Sequence, residues 1–265
     1  MNFEEYFSAP KTERPLDRIV TDGGFCGIFR TIGCVGDSLS SGEFESMAED
    51  GTRGFHDMFE YSWGQYLARD VGCKVYNFSR GGMSAKWYME VFADENDYWN
   101  PEFACQAYII ALGVNDLICA KVKDPGSVSD ICAEDYTKNS KNFAGYYAQI
   151  IQRLKTIQPK AKFFLMTMPH DGVNDEIIDA HAKLLHDMAA FFDSTYVIDL
   201  AAYAPVYDAD FKAKYYLGGH LSPAGYIMTA RVVESYMDYL IRHNPGDFKQ
   251  VPFYGKDYHN VSAPW

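Results

Sequence analysis

The chain has 265 residues, of which 48% are hydrophobic and 23% charged, enough apolar material for one large core. A formal net charge of −12 excludes the basic surface that nucleic acid or anionic lipid would need. The opening Met1-Asn2-Phe3-Glu4-Glu5-Tyr6 is acidic where a secretion signal is basic and then apolar, and no apolar run approaches the ~20 residues of a bilayer span, so a cytoplasmic protein without membrane contact is expected.

Short apolar runs alternate with segments of helical spacing, the pattern of βα units wound into a parallel sheet. The first predicted strand is 30–35, followed by a polar stretch with aromatics at 42–61 that reads as a loop at the rim of a pocket. A helix at 61–69, a strand at 74–77, a helix at 86–92 and a strand at 107–112 come next. After a second insert at 118–136, Tyr146, Ile150, Ile151, Leu154 and Ile157 mark a helix over 142–158 that Pro159 ends. A strand at 162–168, a helix at 176–192, a strand at 196–199 and a helix from Pro223 to about Arg242 complete the series. One domain over 1–245 is expected, with an irregular tail at 246–265 packed on it. The strands are apolar enough to be covered by helices on both faces, an α/β architecture with a five-stranded parallel sheet.

In such sheets functional residues collect at the carboxyl ends of the strands. Gly36-Asp37-Ser38, Ser79-Arg80-Gly81-Gly82, Gly113-Val114-Asn115-Asp116 and Pro169-His170-Asp171 should therefore share one face. Ser38 begins a turn or helix where backbone N–H groups point at its oxygen, so it is either a nucleophile or a cap. Gly82 lets its N–H approach a ligand closely, and the Asn115 amide can donate to a developing oxyanion; with the Ser38 N–H these make three donors. His220 sits in Gly218-Gly219-His220-Leu221-Ser222-Pro223, at a loop tip before a helix, where an imidazole can act as general base.

His170 is a rival base or a substrate contact, while His181 and His186 are five apart on a helix, the wrong interval for shared metal ligation. No metal is expected. The six cysteines form no C-x-x-C pair and read as reduced, packed thiols, although Cys119 and Cys132 bracket a loop and would pair under oxidising conditions.

Together these blocks resemble the GDSL/SGNH hydrolase family. Gly36-Asp37-Ser38-Leu39-Ser40 is similar to its first block, with the serine as nucleophile, and Asn77-Phe78-Ser79-Arg80-Gly81-Gly82 to its second, which assigns Gly82, or else Gly81, to the oxyanion hole. Gly113-Val114-Asn115-Asp116 is similar to the third block, and His220 with Pro223-Ala224-Gly225-Tyr226 to the last. The resemblance spans about residues 30–240 and implies a flavodoxin-like three-layer α/β/α sandwich that cleaves carboxylic esters. It implies no cofactor, and the Ser/Gly/Asn/His set suits acyl transfer better than the flavin binding known on this fold. Asp37 and Arg80 are expected to support the loop geometry, and the 20 tyrosines favour a carbohydrate ester as substrate.

One position departs from the pattern. The family's last block reads Asp-x-x-His, and here the acid's place is taken by Leu217. Three readings follow: a backbone carbonyl holds the imidazole in a Ser-His dyad, an acid such as Asp208 or Asp210 arrives from elsewhere, or catalysis is lost and a ligand-binding protein remains.

Overall fold

The computed structural model describes residues 9–252. Its strands are, in chain order, β1 (Thr31–Gly36), β2 (Glu43–Met47), β3 (Arg53–Asp57), β4 (Lys74–Ser79), β5 (Ala107–Ala111), β6 (Lys162–Met166), β7 (Thr195–Ile198), β8 (Tyr216–Leu217) and β9 (His220–Leu221). Five of them form one parallel sheet in the order β4-β1-β5-β6-β7, while β2-β3 and β8-β9 are separate antiparallel hairpins. The four long helices are α1 (Trp63–Val71), α2 (Phe143–Ile157), α3 (Asp175–Phe191) and α4 (Pro223–His243).

Each central strand presents alternate residues to opposite faces. Ile32, Cys34, Ile109 and Phe164 meet α1 and α4, whereas Tyr108, Ile110, Phe163 and Leu165 meet α2, α3 and the helical run at 85–95. Both faces are thereby buried, which explains the near-continuous apolar strands. The helices start where side chains satisfy their first N–H groups: Ser62 accepts from Gln65 N, Asn142 from Gly145 N and Ser222 from Gly225 N.

The predicted core strands and long helices are all present, with ends displaced by one or two residues. The stretch at 42–61 differs from its expectation, since it contains the β2-β3 hairpin rather than a plain loop. Within the tail, Phe248 is buried and stacks on Phe164 at 6.1 Å, while 253–265 and Met1–Tyr6 lie outside the described residues. No helix among the described residues is long and apolar enough to cross a membrane.

The strand order has one reversal point. From β1 the chain moves outward to β4 through α1, then crosses back to β5 on the other side of β1. Loops leaving β1 and β5 diverge there and leave a crevice at their carboxyl ends.

Candidate active site

Four segments reach that crevice. At the end of β1, Asp37 accepts from Leu39 N at 3.1 Å and caps the short helix Ser38–Ser41, which places Ser38 on its first turn. The loop after β4 carries Gly82 with φ 72°, a conformation that favours glycine. Gly81 N–H already donates to Asp57 Oδ2 at 3.4 Å, so Gly82, not Gly81, is the one that lines the crevice.

After β5, Asn115 Nδ2 donates to Met83 O at 3.0 Å, which fixes the amide and leaves its second N–H available. The neighbouring Asp116 accepts from Ala85 N at 3.0 Å and ties the β5 loop to the β4 loop; burial raises its carboxyl to about 6 despite that bond. His220 completes the set from β9. Ser38, Gly82, Asn115 and His220 all line one cavity of about 440 Å³. A smaller apolar recess of about 50 Å³ shares Leu39, Val114, Met168 and Pro169 with it.

Both imidazole nitrogens of His220 face carboxylates of β2. Nδ1 lies 2.8 Å from Glu45 Oε1 and Nε2 lies 3.0 Å from Glu43 Oε1. Ser38 Oγ has no hydrogen-bond partner among the described residues. Proton-transfer contacts of this kind often close only once substrate is bound. Asp37 is buried beside Ser38 and burial raises its carboxyl to about 7, with the Leu39 N–H opposing that shift.

Several expected supports lie elsewhere. Asp208 caps the helix Ala209–Tyr215 by accepting from Phe211 N at 2.9 Å, and Asp210 is exposed in that helix's first turn, so neither carboxylate serves His220. His170 Nε2 pairs with Asp179 Oδ1 at 2.8 Å, and His170 does not line the cavity. Arg80 touches the site only through its backbone N–H, which donates to Gly36 O at 3.3 Å; its guanidinium stands over Trp87. Leu217 pairs with His220 across the β8-β9 hairpin and is exposed. All six cysteines are free thiols. Glu45 escapes a search by sequence spacing, because it stands 175 residues from the histidine it meets.

A second histidine braces the scaffold. His181 Nδ1 accepts from Met168 N at 3.4 Å, so its proton is on Nε2, which donates to Leu112 O at 3.1 Å and links the ends of β5 and β6. Burial lowers this ring from 6.5 to about 4. Between those values the unfolded chain binds a proton that the folded protein refuses, so stability falls as pH drops. His181→Gln removes this linkage, and the stability gap between native protein and variant is expected to narrow by about 2 kcal/mol from pH 7 to pH 5. Urea unfolding at both pH values measures it; a gap independent of pH would contradict the assignment.

Comparison with known proteins bears on the fold and the family. The profile of the GDSL-like lipase/acylhydrolase family matches residues 34–227. No curated protein matches the sequence. Among solved structures, a family two carbohydrate esterase from Clostridium thermocellum in complex with cellohexaose is similar at TM-score 0.56 and 18% identity, over 82% of this chain and 65% of that one. A Lactobacillus plantarum protein is similar at TM-score 0.58 and 16% identity, over 79% and 97%. A Corynascus carbohydrate esterase family 2 enzyme with a carbohydrate binding domain is similar at 0.54 and 15%, over 80% and 66%. Those identities speak for the fold, and the family profile covers most of the chain: the chain belongs to the GDSL-like lipase/acylhydrolase family, whose members hydrolyse carboxylic esters.

Proposed function

We propose that the protein is a serine esterase that removes a short acyl group from a carbohydrate through an acyl-enzyme on Ser38. The observation that carries this reading is the convergence of Ser38, Gly82, Asn115 and His220 on one cavity at the reversal point of the sheet. His220 takes the Ser38 proton as Oγ attacks the acyl carbon. The oxyanion then rests on Ser38 N–H, Gly82 N–H and the free Asn115 N–H. His220 returns the proton to the departing alcohol, and water releases the acid by the same steps in reverse.

The size of the acyl group is suggested by the recess behind Leu39 and Met168, which at about 50 Å³ has room for about three or four water-sized groups. Phe55, exposed and edge-on to His220 at 6.1 Å, offers a flat apolar face to a sugar ring beside that histidine. The carbohydrate esterases among the similar folds, one of them holding cellohexaose, favour the same alcohol class.

The test is hydrolysis of p-nitrophenyl acetate and of acetylated cello-oligosaccharides, with a fluorophosphonate probe to mark the nucleophile. Acetate release and a single adduct on Ser38 are expected. An adduct on another residue, or inertness to both ester and probe, would end the proposal.

A further inference from the structure

We propose that Glu45, carried on the β2-β3 hairpin, is the acid that orients His220, in place of the acid that the family pattern sets at the position of Leu217. This rests on the reading of Ser38 and His220 as nucleophile and base. Glu45 Oε1 accepts from His220 Nδ1 at 2.8 Å and from Gly219 N at 2.7 Å, and the side chain is only 11% exposed. With Glu45 ionised Nδ1 carries the proton, and Nε2, which stands 3.0 Å from Glu43 Oε1 in a carboxyl that burial holds above its usual range, is the nitrogen left to take one from Ser38.

The surrounding residues are shaped for this carboxylate. A Cβ at Gly219 would lie 2.6 Å from Glu45 Oε1 and one at Gly218 2.5 Å from Oε2, so the glycine pair before His220 clears the space the acid occupies. Alternation along β2 puts Glu43 and Glu45 on one face, while Phe44 on the other packs edge-on against Tyr61 and Tyr226. Tyr226 OH donates to Glu43 O at 2.8 Å, and Asp57 at the end of β3 pairs with Ser41 in the nucleophile helix. The open end of the hairpin, where Glu43 and Asp57 stand opposite each other, is thus tied to the helix that bears Ser38 and to α4, which follows His220.

Proton accounting is simple. Ser38 Oγ–H passes to Nε2 as the Oγ–C bond forms and the carbonyl electrons move to oxygen. The same proton goes from Nε2 to the alcohol oxygen as the ester C–O bond breaks. Glu45 stays ionised throughout and balances the imidazolium. The bonds from His220 and Gly219 hold its carboxyl below the usual range, which favours that ionised state. Other charged groups around the ring are Glu43 on β2, Arg53 and Asp57 on β3, and Asp37 after β1; Arg53 lies 3.8 Å from Glu45 itself.

Glu45→Gln tests the proposal, with kcat/KM on p-nitrophenyl acetate followed from pH 5 to 9. The expected result is a loss of roughly 10²- to 10⁴-fold at pH 7, with fluorophosphonate labelling still confined to Ser38. Because the imidazolium loses its anionic partner, the acid limb of the profile is expected to move to lower pH, which a merely structural role would not do. Activity within about threefold of native and an unmoved limb, in a protein that Ser38→Ala inactivates, would overturn it. If Ser38→Ala is as active as native, the nucleophile assignment fails instead. Should Glu45→Gln not fold, Glu45→Asp serves: the charge is kept but withdrawn by one methylene, so kcat is expected to fall about tenfold, and an unchanged kcat would overturn the proposal.

Discussion

Ser38→Ala is expected to lower turnover of p-nitrophenyl acetate by about 10⁴- to 10⁶-fold while leaving the fold intact. In the proposed mechanism no acyl-enzyme forms without the hydroxyl, and the remaining donors can only assist direct attack by water. The hydroxyl has no hydrogen-bond partner among the described residues, and the cap of its short helix is made by Asp37, so its removal costs little stability. A melting temperature within about 2 °C of native is expected beside the lost activity. A variant that keeps a tenth of native turnover would show that the chemistry runs through another group.

Arg242→Ala is expected to cost about 3–5 kcal/mol of stability. Arg242 Nε lies 2.7 Å from Asp238 Oδ2, and its two Nη atoms reach the Glu13 carboxylate at 2.7 and 2.8 Å. The side chains of Arg242 and Asp238 are 2% and 1% exposed, so truncating the arginine strands a buried anion. Asp238 also accepts from Phe25 N at 2.9 Å, which joins the chain's early segment to α4. At about 2–4 °C per kcal/mol for a domain of this size, a fall of roughly 10 °C is expected in a thermal scan. A fall below about 2 °C would mean that water reaches the stranded carboxylates.

Much of this fold is legible in the sequence, since strands buried on both faces leave short apolar runs and Ser62, Asn142 and Ser222 mark helix starts. Ser38, Gly82, Asn115 and His220 sit in recognisable local blocks for the same reason: each occupies a turn directly after a strand or before a helix. Glu45 does not. In β2 the residues turned toward the site are Glu43 and Glu45 and the apolar Phe44 points the other way, so a search for an apolar inward face reads the segment as a polar loop. Asp208 and Asp210 attract attention because they are near His220 in sequence, but they lie at the start of a helix that has its own N–H groups to cap. Gly218-Gly219 is the local trace of Glu45, and its meaning is visible only when the carboxylate that fills the space is seen.

The position of α4 sets when this protein can first act. Helix α4 begins two residues after β9, which supplies His220, and its Tyr226 secures the backbone of Glu43. A chain leaving the ribosome from its amino end therefore displays Ser38 long before His220, and the two can meet only after α4 has emerged as well.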